Sequence, residues 1–464
     1  MSKPATSPVP WHRWAVQVES LRAAVAARQT RPASAKVSQH ARLVFMDTIG
    51  CMLAGRRAPE VAALEAQLGA LEPGGFPMPG GRPLGARAAC QLLAIGSTWH
   101  EACEGHAYAH GRPGVAAIAA LLPLALHRDA KVGEFVDALA SGYEVGARAG
   151  GWLRAAPGLH VDGNWPALGA AAGSARLLGL PADLAMKAVA IAACQLPSSL
   201  YLPIRTGRNV RNLYLAHAAT LGLDSALAAQ AGIDAPADAL AWYAEHLSPA
   251  ATQAPPLPTA DLILDAYLKP FAAVRHVHYG ALAARRIRER LHGETEGIHR
   301  IVLTVYQEAV VYCSNAQPTT LLAAQFSLSF GLASMLRFGT LAPASYEPPN
   351  FMDPELRRLE ALVEVKIDRE LTAKGLRGAH VSVVSRLGHC DEQVGADDPG
   401  LLLDAAAAIE KFADGAAPTV SPGTSRAFCA ALLQARADMP MRRLWQTLCA
   451  DDPHAIPAGK SQGA

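Results

Sequence analysis

From about residue 34 to 232, apolar positions recur in Ala/Leu-rich segments of 12 to 20 residues separated by Gly/Pro loops, a pattern that predicts closely packed helices. The segments are 37–53, 88–101, 114–127, 134–150, 166–178, 182–196 and 212–231. Between 71 and 83 (LEPGGFPMPGGRP) Gly and Pro are too dense for helix or strand, so a loop is expected. The composition breaks at 251–260 (ATQAPPLPTA), and beyond it alternating, β-branched runs appear at 299–313, 362–367 and 380–384. Helical candidates at 279–291, 319–336 and 353–362 interleave with these runs, which together suggest a small α+β unit. Helical patterning returns at 401–412, 425–437 and 440–449. The expected fold is therefore mainly α: a large all-helical domain (1–260, rejoined by 399–464) with an inserted smaller α+β lid domain (261–398). The cleft between the two is the natural ligand site.

At 464 residues the chain exceeds what one hydrophobic core usually organises, which agrees with two units. Hydrophobic residues at 51% and charged residues at 18% exclude a disordered chain. Forty-two Lys and Arg against 40 Asp and Glu leave +2, too little for a field that attracts nucleic acid or anionic membrane. Any anionic ligand must then be held by a local basic cluster. Apolar stretches such as 115–126 fall short of the ~20 residues a bilayer needs, so they read as buried helices. The opening MSKPATSPVPWHRW lacks the apolar core of a signal peptide, and the eight cysteines are scattered singly without CxxC pairs. A reducing cytoplasm is expected, with neither a disulfide framework nor a thiolate zinc site.

The densest polar cluster is 100–114 (HEACEGHAYAHGRPG), which places His100, Glu101, Glu104, His106, His110 and Arg112 between two apolar helices. His100-Glu101 opens like a zincin H-E-x-x-H helix, but Glu104 stands where the second His belongs. His106 and His110 have i,i+4 spacing, yet Gly105 and Gly111 argue against a regular helix there, and no metal is expected. His160 sits in the polar loop GLHVDGNW ahead of the helix from 166. The run RTGRNVRN, with Arg208 and Arg211, precedes an apolar helix, where guanidinium groups beside helix-end amides suit a carboxylate or phosphate. It serves equally as a solvated basic turn. The last cluster, KPFAAVRHVH, carries Lys269, Arg275, His276 and His278 at the junction of the two units. If it is extended, Lys269 and Arg275 face one side, as do His276 and His278. Cations gathered there make an anion site or a solvated linker.

In order along residues 34–449, these segments resemble the MmgE/PrpD family, which includes 2-methylcitrate dehydratase, cis-aconitate decarboxylase and iminodisuccinate epimerase. The sequence 47–55 (DTIGCMLAG) is similar to the family's DTLGCALAG helix end, and 135–148 (FVDALASGYEVGAR) to its ALVAGYEVAAR helix. Gly158-Leu159-His160 followed by 167–171 (ALGAA) resembles GFHP…TLGAAAA, and 210–214 (VRNLY) a VRN-x-Y variant of the KPLH segment. KPF with RHVH (269–278) resembles KPYxxCRHxH, and 324–328 (AQFSL) resembles AQFSLPY. The resemblance implies a helical domain with an α+β lid, a homodimer, no obligatory cofactor, and lyase or isomerase chemistry on small di- or tricarboxylates in the interdomain cleft. Such chemistry needs cations to hold the carboxylates and stabilise the aci-carboxylate formed when the α-proton leaves, plus an acid/base pair. The catalytic candidates are Glu101, Glu104, His106, His160 and Lys269. His110, Arg112, Arg208, Arg211, Arg275 and His276 are the substrate-binding candidates. Two departures stand out: Glu101-Ala102-Cys103-Glu104 replaces the family's acidic D-x-D-D run, and Arg112 falls at the place of its catalytic His. Arg211 likewise replaces a Lys, keeping the charge but losing a titratable amine. A chain that binds carboxylates or a partner without turnover is the alternative.

Overall fold

The computed structural model describes residues 11–248, 261–417 and 419–450. The proline-rich break at 251–260 lies outside the described residues. The described residues are mainly helical, with three small sheets.

The helices begin and end where local chemistry dictates. Ser34 caps helix Ala35–Gly55 by accepting from the Val37 amide at 3.3 Å, and Pro113 opens helix Pro113–His127, where its missing N–H costs nothing. Helices Val132–Trp152 and Pro166–Leu177 cross closely because glycines face each other. A methyl group on Gly142 would lie 2.7 Å from the Gly169 carbonyl oxygen. Against this pair packs helix Pro113–His127, with Tyr214–Gln230 on the second member and Ala86–Thr98 behind these two, all rich in fully buried Ala and Leu. Helices Ala405–Ala416 and Pro422–Gln434, late in the chain, pack back onto helix Ala35–Gly55, and helix Met441–Leu448 onto Pro113–His127. Gly50 and Phe412 make the first of these contacts tight.

The third sheet has four strands in the order Val363–Ile367, Ile298–Val305, Gly378–Ser385, Gly388–Gly395. The first pair is parallel, with Leu303 opposite Val365, and the others are antiparallel. Ile301, Leu303, Val305, Val381 and Val383 are buried on one face, with helix Arg275–Arg290 packed against the sheet. That alternation is the period-2 signature of a half-covered sheet.

Several expectations need correction. The run 299–313 is a strand only to Val305; Gln307–Cys313 is a helix, packed against helices Arg275–Arg290 and Leu328–Phe338. The segment 319–336 is two helices, Leu321–Gln325 and Leu328–Phe338, divided where Ser327 caps the second. The 71–83 loop holds a short strand, Pro73–Phe76. KPFAAVRHVH is not extended throughout: a helix starts at Arg275, so His276 and His278 point to different surroundings. Strand Gly388–Gly395 and helices Ala15–Thr30 and Pro59–Leu71 carry patterns too weak to have been expected.

Candidate active site

Two short strand pairs carry the polar segments into one place. Gly105-His106 pairs antiparallel with Ala266-Tyr267, and Leu159-His160 with Ser199-Leu200. The first brings the 100–114 loop against the chain leading to Lys269, and the second fixes His160 beside Tyr201. Helix Ala86–Thr98 stops short of Glu101, whose φ of 55° is left-handed and turns its side chain inward. A non-glycine residue in that region costs about 1–3 kcal/mol and persists only when its surroundings enforce it.

The enforcing element is a buried ion network. Glu101 accepts from Arg112 at 2.8 Å, Arg211 at 2.5 Å and Lys269 at 2.9 Å. Asp162 forms ion pairs with the same two arginines, at 3.0 and 3.2 Å. Burial alone would raise both carboxyls, but Arg112, Arg211 and Lys269 hold Glu101 well below the usual carboxylate range, and Arg112 holds Asp162 down. Lys411, from helix Ala405–Ala416, ties this floor together: its ammonium donates to Asp47 Oδ1 and to the carbonyls of Ala102 and Lys269.

Over the floor lies a cavity of about 280 Å³, near the small end for ligand pockets. Its walls include Glu101, Glu104, His106, His110, Arg112, His160, Lys269, Arg275 and His276, nine of the eleven candidates. Arg211 is fully buried behind Glu101, and Arg208 is exposed outside the walls. Arg154, Asp162, Tyr201, Tyr267, Glu308, Tyr312 and Arg377 complete the polar part of the lining. Five Lys and Arg side chains thus face four carboxyls. Of the unforeseen members, Asp162 had a signal in its place two residues after His160; Arg154 and Arg377 had none.

The proton-active groups differ in freedom. Glu104 is buried, and burial pushes its carboxyl up to about 7, against the pull of the Gly114 amide at 2.8 Å and the Tyr143 hydroxyl at 3.1 Å. Burial brings His160 down to about 4, so its ring is neutral; Nδ1 accepts from the Asp162 amide at 3.2 Å, which leaves the proton on Nε2. The ring stacks on Tyr201. His106 has both nitrogens engaged, Nε2 donating to the Leu262 carbonyl and Nδ1 accepting from the Ala109 amide. His276 pairs Nδ1 with the Tyr306 hydroxyl at 2.6 Å, and burial holds it near 3. His110, with φ 54°, sits at the exposed mouth; desolvation and then Arg154 and Arg377 push it to about 4. Arg275 donates to the Leu401 carbonyl at 2.8 Å and lies over the Tyr267 ring. His100 turns away from the cavity toward Ala54 and Arg57, and among the described residues no three His, Cys, Asp or Glu side chains gather to hold a metal ion. No helix among the described residues is long and apolar enough to cross a membrane.

Fold and site together define a mainly helical protein with a small, cation-rich internal cavity containing neutral imidazoles and a carboxyl that titrates near neutrality. The MmgE/PrpD N-terminal domain matches residues 19–246 and the MmgE/PrpD C-terminal domain residues 271–433, so the chain belongs to the MmgE/PrpD family. Members of this family are generally lyases, dehydratases or related enzymes. No curated protein matches the chain.

Proposed function

We propose that the protein is a cofactor-independent lyase or isomerase that removes an α-proton from a small di- or tricarboxylate, ending in dehydration or epimerisation. The observation that carries this reading is the excess of cations over ionised carboxylates around the cavity, with Glu104 half-protonated near pH 7. Arg275, fixed by Leu401 and the Tyr267 ring, holds the carboxylate next to the reacting carbon. Lys269 and Arg112 stabilise the charge that spreads onto that carboxylate as the proton leaves. Glu104 takes the proton, since a base is most effective when its pKa is near the working pH. His160, neutral with its proton on Nε2, donates to the developing negative charge or to a departing hydroxyl. Glu101 and Asp162 act by orienting Arg112 and Lys269, and His106 shapes the wall. In this reading the segment 261–398 works as a lid over the helical part.

A homodimer in the reducing cytoplasm is part of the proposal. It is supported by exposed Leu200, Leu202, Val210, Leu213 and Val311 and by eight cysteines scattered singly along the sequence. Proton NMR in D2O with 2-methylcitrate, citrate, cis-aconitate, malate, tartrate and iminodisuccinate tests the chemistry. Deuterium uptake or product from one acid supports it, and silence across acids that demonstrably bind refutes it. That second result is the one expected of a binding protein without turnover, a reading favoured by the locking of Arg112 into ion pairs with both Glu101 and Asp162.

A further inference from the structure

The cations around the cavity are not equally occupied. Arg112 is paired with Glu101 and Asp162, and Lys269 with Glu101. Arg154 is different: its Nη1 is buried and has no hydrogen-bond partner among the described residues. Arg377 lines the same cavity and pairs with one carboxylate, Glu308, at 3.0 Å. Arg154 and Arg377 lie close enough for their charges to oppose each other and for both to suppress protonation of His110. Two guanidinium groups therefore share a single carboxylate, beside an imidazole that stays neutral. Burying an unpaired guanidinium N–H is costly, and the cost is relieved when an anion completes the site. The two arginines also come from different parts of the chain. Arg154 follows helix Val132–Trp152, whereas Arg377 immediately precedes strand Gly378–Ser385.

We propose that Arg154 and Arg377 form a second carboxylate-binding site, separate from Arg275, and that an acid seated there bridges the helical part and the four-stranded sheet. Resting on the function proposed above, this makes a second carboxylate, remote from the reacting carbon, a requirement for tight binding. Arg154 is the specificity-determining member, because its Nη1 has no hydrogen bond among the described residues to give up.

The test is calorimetric titration of the full chain with propane-1,2,3-tricarboxylate and with butyrate, using wild type, Arg154→Gln, Arg154→Lys and Arg377→Gln, each checked for folding by circular dichroism. A charge-assisted hydrogen bond of about 1.5–3 kcal/mol corresponds to ~10–100-fold in affinity. Arg154→Gln should weaken the tricarboxylate by that factor and leave butyrate unchanged, while Arg154→Lys should recover part of the loss. Equal affinity of wild type and Arg154→Gln for the tricarboxylate overturns the inference, as does an equal loss for both acids. Should Arg377→Gln fail to fold, the comparison of the two Arg154 variants still decides. Selective weakening in a protein that shows no deuterium uptake leaves this site standing and refutes the chemistry. Uptake that is indifferent to Arg154 does the reverse.

Discussion

Replacing Glu101 by Gln removes one negative charge from a floor that holds three cations and two carboxylates. Arg112 and Arg211 would then share Asp162 alone, and Lys269, whose carboxylate partner is Glu101, would keep only the Glu101 backbone carbonyl. Breaking a buried pair by removing one partner costs about 3–5 kcal/mol, chiefly because the surviving charge stays buried. Lys269→Met leaves two cations and two carboxylates, a balanced set, and should cost only ~1–3 kcal/mol. In the double variant the charge stranded by Glu101→Gln is partly removed, so the total should fall short of the sum by about 1–3 kcal/mol. Urea unfolding at pH 7.5, comparing midpoints at constant m, measures all three. The pH dependence has a definite sign. Glu101 is depressed in the folded state, so its contribution is full above the ordinary carboxylate range and disappears as pH falls through the folded value, and the gap between wild type and Glu101→Gln should narrow in acid. Strict additivity, or a Glu101→Gln cost below ~1 kcal/mol, would refute the network as the force that holds the left-handed turn.

Three further outcomes are expected. Glu104, raised to about 7, stabilises the protein below the ordinary carboxylate pKa and loses that contribution as pH rises through 7. Wild type should therefore lose about 3 kcal/mol between pH 4.5 and 8 relative to Glu104→Gln, and the variant's turnover should fall ~10²–10⁴-fold; parallel stability profiles would count against the shift. His160→Gln should retain a cooperative melt while deuterium uptake drops at least ~10²-fold, and unchanged uptake would remove His160 from the chemistry. In Gly105→Ala the added methyl would lie 2.4 Å from the Tyr267 hydroxyl, displacing the ring on which Arg275 rests. A stability loss of ~1–3 kcal/mol with a ~10²-fold loss of turnover is expected, and wild-type kinetics would show that the Arg275 seat is not critical.

The long helices were legible because their apolar stripes are long. Residues 166–178 and 114–127 are expected as helix and found as Pro166–Leu177 and Pro113–His127, since a Pro start marks each, with Gly179 closing the first and His127-Arg128-Asp129 the second. The candidate cavity was legible as a set of polar loops, because charge without periodicity is visible in a sequence. What each polar residue does was not. His106 and His160 look alike in the chain, yet one has both nitrogens bound by backbone and the other keeps Nε2 free, a difference set by Leu262 and Asp162. Arg377 stood beyond reach for a related reason: only the pairing of strand Gly378–Ser385 with Ile298–Val305 carries it to the cavity. The helix at Gln307–Cys313 was missed because EAVVYC is as β-branched as the strand before it, and tertiary packing overrides that preference.

The ammonium of Lys411 closes a loop of 364 residues when it meets Asp47. A polypeptide emerging from the ribosome forms its helices long before that residue is available, and domains generally fold in the order in which they are made. Throughout that interval the Ala102 and Lys269 carbonyls and the Asp47 carboxylate have no cation between them. The floor of the cavity is thus among the last parts of the molecule to be assembled, and a nascent chain halted before helix Ala405–Ala416 would hold every wall residue and still lack this clasp.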